Sequence, residues 1–555
     1  MSNRLYTTIP APKVPRNTFD LSSPNSLTLP FQRVIPTRLM EILPGDLVSM
    51  GSETFARLQP MVAPVMNNMK ISNHAFFVPL RTLSAHYDEF MFNNRNGDYS
   101  EVLPYVSLGF LFTSLQYLYN ESTTFTFDQC VDVVRLLDYI GLPFRYFDVS
   151  SSSSDFMELF FADSWNSGLA NSSLRVNLAP FFAYTKIWNE YFRDENVIDE
   201  IDFDKVRTWT GNVQELISDD YEWFFSNFMR LRPRAWQHDR FTSSLPFAQR
   251  GPDTLIPISG TAPVVSTLAG TTTQTGPVVA SPISGTDRRV SEMVETGSVY
   301  MDLDRQVDFS EAALTTTMND WRRALRVQMW NENSARGGVR PNEAILAHFG
   351  VRTPDATLDR AEFLGGYMQP IVVSEVAQTS ETTEQSPQGT LAGKGTTYKG
   401  NVLFKHFFSE HGFVFVFTSA LCRANYWQGL PKVFSRMQRD EYYWPEFANL
   451  GEEPVYTKEL FAKAAEDTVF GYVPRYSDYK SSVGELHGNM RSTLDFWTQP
   501  REFANEPQLN EEFIFGNPSL SPFAVQSEDS DPIICTIQFN VKASRLMPFY
   551  GVPTI

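Results

Sequence analysis

Phe413-Val414-Phe415-Val416-Phe417-Thr418-Ser419-Ala420 decides the fold class, because its first five residues are all apolar and leave neither face of an extended chain for water. Aromatic and β-branched side chains in alternation suit a pleated strand, and the run is far too short to span a membrane. A strand apolar on both faces must be covered on both, as in a sandwich sheltered by its own insertions or by neighbouring copies. Residues 71–78, 371–376 and 533–541 share this enrichment and read as further strands.

Helical patterns interrupt the strands. Residues 131–140 close at Gly141-Leu142-Pro143, and residues 182–192 place Ile187, Trp188, Tyr191 and Phe192 on one side. The longest helix is expected over 310–333, where Leu314, Met318, Trp321, Leu325 and Met329 recur at steps of three and four. Gly337-Gly338 stops it in the run ARGGVRPNEAILAHFGVRTPD (335–355). Arg340-Pro341-Asn342 then restarts the chain, and Gly350 caps a second short helix. That run joins elements and presents no reactive group. The fold class is therefore mainly β, an antiparallel sandwich with long loop and helical insertions.

The 45 Phe and 35 Pro supply bulky core side chains and frequent punctuation, which favours short extended segments. No linker or internal repeat divides the 555 residues, so one large domain over 41–555 is expected, preceded by an extended arm over 1–40. The arm is basic: Arg4, Lys13, Arg16, Arg33 and Arg38 stand against the single acid Asp20. The whole chain is acidic, with net charge −18, and this excludes a surface that binds nucleic acid everywhere. Any DNA contact is local. Three scattered cysteines, Cys130, Cys422 and Cys535, show no zinc or redox spacing and read as buried thiols of a protein made in the cytoplasm. No signal-peptide core and no membrane-length apolar run is present in the sequence.

Three stretches are of low complexity: the serine run 150–154, residues 254–286 and residues 377–399. The second contains no charged residue, and a Thr, Ser, Gly and Pro composition of that kind buries little and stays exposed. A surface insertion over 253–308 is the reading. Its Thr254, Thr267, Thr271, Thr272, Thr273, Gln274, Thr275 and Thr286 are candidate contacts to a host surface, because uncharged hydroxyl-rich loops hydrogen-bond sugars; a passive flexible loop is the plainer alternative.

Besides Arg4, Lys13 and Arg16 of the arm, two basic clusters are candidates to face DNA. Arg230, Arg232, Arg234 and Arg240 interleave with Trp236 and His238, a pattern that stacks bases and neutralises phosphates. Arg322, Arg323 and Arg326 follow on the long helix, where a solvated or salt-bridged face is the alternative. His406 and His411 are too far apart in sequence to share a helix face for a metal, and adjacent acids such as Asp219-Asp220, Glu452-Glu453 and Glu511-Glu512 diverge along either backbone. With no nucleophile elbow, phosphate loop or His-Glu-x-x-His motif, neither catalysis nor a cofactor is expected.

Across most of its length, and in order, the chain resembles the major capsid proteins of the Microviridae, specifically the gokushovirus branch of small single-stranded DNA phages. The likeness rests on FDL (19–21), EILPGD (41–46), RLQPMVAPVM (57–66), HAFFVPLR (74–81), DYIGLP (138–143), IWNEYFRDENV (187–197) and DRFTSSLPFAQRG (239–251). It continues through EFLGGYMQPI (362–371), SPQGTLAGKGT (386–396), FSEHGFVF (408–415), YYWPEFANLGE (442–452), VFGYVPRYSDYK (469–480) and MPFYGVP (547–553). Segments 144–182, 253–308 and 377–385 depart from it. The resemblance implies an eight-stranded antiparallel jelly roll and sixty copies in a T=1 icosahedral shell around circular single-stranded DNA. It also implies a variable insertion forming protrusions at the threefold axes, with a small basic DNA-binding virion protein and a host receptor, glycan or other, as further partners. The aromatic anchors of YYWPEF are candidate contacts between copies. A secreted β-sandwich carbohydrate-binding or adhesin protein is the rival reading, and uniform particles in a micrograph separate the two.

Overall fold

The computed structural model describes residues 15–92, 101–122, 124–145, 153–252, 264–267, 273–274, 306–307, 318–338, 340–377, 391–466, 468–524 and 531–550. Ten strands carry the architecture: β1 (Asn17–Asp20), β2 (Ser23–Leu29), β3 (Ile35–Ile42), β4 (Leu47–Leu58), β5 (Lys70–Pro79), β6 (Glu362–Pro370), β7 (Val372–Ala377), β8 (Leu391–Phe407), β9 (Gly412–Leu421) and β10 (Ile533–Arg545). They form two antiparallel sheets. One runs β1-β10-β4-β8-β7, with β2 also pairing β10, and the other runs β6-β5-β9-β3.

All four predicted strands are present, as β5, β7, β9 and β10. The all-apolar run becomes β9, hydrogen-bonded on both edges, with Phe415 opposite Leu39 of β3 and Phe76 of β5. Its two faces have different covers. Phe415 and Phe417 stack on each other at 5.6 Å, and Phe417 meets Tyr184 and Phe192 of a helical layer. Thr418 lies on the opposite face, toward the six-stranded sheet. By contrast β10 alternates buried Ile533, Cys535, Ile537, Phe539 and Val541 with exposed Ile534, Thr536, Asn540 and Lys542, the period-two signature of a sheet with one face in solvent.

A buried polar row joins the sheets. Tyr367 of β6 places its hydroxyl 3.1 Å from Ser52 Oγ and 3.2 Å from Thr54 Oγ1 of β4. Asn73 of β5 donates to Thr54 Oγ1 at 3.2 Å and accepts from the Thr418 hydroxyl at 2.7 Å, while Thr37 of β3 lies 3.1 Å from Thr418 Oγ1. Each strand of the four-stranded sheet thus contributes one side chain, and the groups satisfy one another where water is excluded.

The helical layer includes α1 (Leu108–Glu121), α2 (Phe127–Ile140), α3 (Ser153–Ala162) and α4 (Ala179–Ile187), which continues as a π turn over Trp188–Phe192. A capping box between Thr126 and Gln129 starts α2, and its buried stripe of Cys130, Val133, Val134 and Leu137 packs into the core. The expected 310–333 helix is described as α5 (Met318–Gly337), ending at the glycine pair; Leu314 lies outside the described residues. Its Met318, Trp321, Leu325 and Met329 are exposed. The next helix, α6 (Pro341–Phe349), has proline in its first turn and Gly350 in the left-handed region at φ 70°, where glycine avoids a Cβ clash.

One expectation is corrected. From Asn17 onward the basic arm is built into the sheets as β1, β2 and β3. The low-complexity stretch 377–399 contains the last residue of β7 and the first half of β8. Its glycines serve close packing: a Cβ at Gly395 would sit 2.3 Å from the Leu58 side chain, and one at Gly393 2.7 Å from the Pro64 backbone.

The chain divides into two compact units, residues 249–337 and the remainder. The smaller unit holds α5 and three short antiparallel strands: Val264–Thr267 pairs with Thr273–Gln274 and with Gln306–Val307.

Candidate nucleic-acid and assembly surfaces

The arginine cluster around residue 232 turns inward. Its segment bridges backbone to backbone with Gln32, Val34, Ile514 and Gly516, which fixes it against the β3 entry. Arg232 lies over the Trp188 ring at 4.8 Å and donates to the Asn227 carbonyl, while its backbone N–H donates to the Tyr184 hydroxyl at 2.8 Å. Burial, helped by the nearby Arg230 charge, pulls the Arg232 guanidinium down to about 9. Arg234 donates to Ser72 Oγ at 2.7 Å and lies over Phe192 at 5.1 Å, and burial pulls it down to about 10. Trp236 is buried, and Arg240 is paired with the buried Glu459.

The reading of Arg232, Arg234 and Trp236 as a DNA-facing patch is therefore corrected: Arg232 and Trp236 are buried, and the Arg234 guanidinium is held by Ser72 and Phe192. Interleaving cations with aromatics in sequence produces the same pattern whether the rings stack bases or the protein's own guanidiniums. Arg230 is half-buried beside them.

Of the arm residues, Arg4 and Lys13 lie outside the described residues. Arg16 donates to the carbonyls of Gly45 at 2.6 Å and Ser544 at 3.2 Å, Arg33 pairs with Asp132 at 3.7 Å, and Arg38 reaches Ser23 and Leu21. Arg16 and Arg38 tie strands and turns together, and Arg33 ties the chain to α2. Arg322, Arg323 and Arg326 are exposed along α5 and stay accessible to a partner. Within the threonine-rich insertion, the backbone at Thr267 pairs with Thr273 and that at Gln274 with Ser266; Thr254, Thr271, Thr272, Thr275 and Thr286 lie outside the described residues.

A different surface emerges over residues 430–450, part of which YYWPEF had marked. The backbone here is irregular but heavily wired. Arg436 donates from Nε to the Glu441 carbonyl at 3.0 Å, pairs with Asp478, and lies over the rings of Tyr442 and Tyr479 at 5.8 and 4.4 Å. Tyr476 donates to the Tyr442 carbonyl at 3.1 Å and accepts from the Trp444 N–H at 3.4 Å, while Trp444 Nε1 donates to the Arg439 carbonyl at 3.0 Å. From this frame Phe434, Met437, Tyr442, Tyr443, Trp444 and Leu450 project into solvent. Sequence reasoning missed Phe434, Met437 and Leu450, because apolar residues at irregular spacing carry no periodic signal.

Among the described residues no three His, Cys, Asp or Glu side chains gather for a metal ion, and no helix is long and apolar enough to cross a membrane. Cys130, Cys422 and Cys535 are free and buried, and burial pushes the thiols of Cys130 and Cys535 up to about 12. Such thiols are inert at neutral pH. Glu453, one of the adjacent acids, is paired with Lys432 at 2.8 Å.

Comparison with known proteins supplies the family. The family model described as capsid protein (F protein) matches residues 7–108 and 148–555. The chain belongs to that family. It is similar to capsid protein VP1 of Chlamydia phage 1, 31% identical with 100% of this chain and 98% of that protein covered. Capsid protein VP1 of Bdellovibrio phage phiMH2K is 30% identical over 99% and 97%, and that of Spiroplasma virus 4 is 26% identical over 94% and 92%. The resemblance to Microviridae capsid proteins, the structural role and the virion location read from the sequence are thereby shown, and F-protein membership makes the chain a structural component, not an enzyme. Residues 109–147, which hold nearly all of α1 and the whole of α2, lie outside the matched spans, although the quoted DYIGLP falls there.

Proposed function

We propose that this F-family capsid protein folds as an eight-stranded jelly roll whose copies close into a T=1 icosahedral shell around circular single-stranded DNA. Strand order carries the reading. Taken along the chain, β2, β3, β4, β5, β6, β8, β9 and β10 pair as nested antiparallel partners: β2 with β10, β3 with β9, β4 with β8, and β5 with β6. A ribbon paired in that way and wrapped around itself gives two four-stranded sheets, first-eighth-third-sixth and second-seventh-fourth-fifth, which is the order in which these strands lie. β1 and β7 extend the first sheet.

In this reading the chain works by association, since closed symmetry ends growth without open-ended aggregation. The threonine-rich insertion over 253–308 is the part that meets the host receptor. Packaged DNA is met locally, by Arg322, Arg323 and Arg326 and by the first residues of the chain with Arg4 and Lys13, alongside a small basic DNA-binding virion protein.

Electron microscopy and mass measurement of particles purified with the full chain test this directly. Sixty copies of a 63.2 kDa chain give uniform particles of about 3.8 MDa of this protein. A preparation made only of monomers or trimers would support the adhesin reading instead.

A further inference from the structure

We infer that the aromatic loop 430–450 is a contact between neighbouring copies of this chain, an inference that rests on the shell reading above. Three observations carry it. The first is exposure: Phe434, Met437, Tyr442, Tyr443, Trp444 and Leu450 are between 45% and 82% exposed. Six residues of this size, roughly half bare, expose on the order of 700 Å² in all, most of it on apolar side chains. That approaches the roughly 800 Å² that each partner gives to a standard interface.

The second is rigidity. Hydrogen bonds from Arg436, Tyr476 and Trp444 tie down the backbone at Arg439, Glu441, Tyr442 and Trp444, so this part of the loop has less ordering entropy to lose on contact. Side chains of Tyr, Trp, Phe, Met and Arg are those enriched at protein contacts.

The third is charge. Lys432, Arg436 and Arg439 balance Asp440, Glu441 and Glu446 within the loop, and Lys432 and Arg436 are already paired with Glu453 and Asp478. A stacking platform for single-stranded DNA needs free cations beside its rings. A neutral apolar surface matches protein, and in a chain whose function is to meet its own copies the partner is another copy.

The buried native cysteines make a clean test. In the full chain carrying Met437→Cys, a maleimide reagent reports the accessibility of position 437 in assembled particles and in unassembled chain sedimented from the same preparation. At least tenfold slower labelling in particles, unchanged by nuclease treatment, is expected. In parallel, Phe434→Asp with Met437→Asp is expected to cut particle yield at least tenfold while circular dichroism and thermal melting stay those of the unmodified chain. Equal labelling in both fractions, or protection that disappears with the DNA, overturns the contact. Failure of the unmodified chain to appear in particles at all overturns the shell reading instead.

Discussion

Arg135 on α2 and Asp531, two residues before β10, face each other at 3.3 Å with side chains only 7% and 3% exposed. Thr28 and Tyr139 also donate to the Asp531 carboxylate, so helix, arm strand and last strand meet on one buried charge. Removing one member of such a pair leaves the other charge uncompensated. Arg135→Met is expected to destabilise the fold by about 3–5 kcal/mol, read as a lower denaturation midpoint in urea, whereas unchanged unfolding would show the pair to be dispensable.

Asp138 is the neighbour that makes this knot pH-sensitive. Burial, reinforced by the Asp531 charge, pushes its carboxyl up to about 6 from an ordinary value near 3.8. A carboxyl whose pKa rises on folding takes up its proton more readily in the native state than in the unfolded chain. Its stabilising contribution is therefore present at low pH and lost as pH rises through about 4 to 6. Asp138→Asn removes the penalty of burying the ionised form. It is expected to raise stability at pH 8 by on the order of 2 kcal/mol, with little gain at pH 4. Melting curves at the two pH values check this, and an equal gain at both would contradict the assignment.

The Tyr367 hydroxyl is the hub of the polar row between the sheets. Tyr367→Phe keeps the ring and deprives Ser52 and Thr54 of a partner in a place water does not reach. A loss of about 1–3 kcal/mol is expected, and the double variant with Ser52→Ala should recover part of it. Urea titration of the three proteins gives the coupling.

How far the sequence could be read follows from these same residues. Phe413–Phe417 announces a buried strand because both its covers are apolar, and the Gly350 cap follows from local rules alone. β4 escapes pattern reading because its inward positions include Ser52 and Thr54, polar residues buried for the sake of Tyr367, more than 300 positions away. β8 escapes because Gly393 and Gly395, needed where Pro64 and Leu58 press close, look like loop. The arginine cluster misleads because sequence does not say which side of the chain its rings and cations share. The family resemblance covers most of the chain; the assembly loop is only partly legible, since exposure is a property of the fold.

Gly395 offers a direct check of the close approach. A side chain there would meet the Leu58 side chain at 2.3 Å and force it to shift. Gly395→Val is expected to cost about 1–3 kcal/mol through overpacking, even though valine is by propensity the better strand residue. A thermal shift upward instead would mean that the two strands are not so tightly apposed.

The two arginine groups should separate cleanly in a DNA-binding measurement. Arg322, Arg323 and Arg326 are exposed on α5, so replacing all three with glutamine should leave folding intact. If they neutralise phosphates of single-stranded DNA, binding weakens, and the slope of log affinity against log salt falls by about 2, at roughly 0.7 per contact. Arg232 behaves oppositely. Its guanidinium is spent on Trp188 and Asn227, so Arg232→Met should lower the melting temperature and leave the salt slope as it was. Anisotropy titrations of a labelled single-stranded oligonucleotide at several salt concentrations read both. An unchanged slope for the triple variant would remove α5 from the DNA-facing surface, and a reduced slope for Arg232→Met would restore the buried cluster to it.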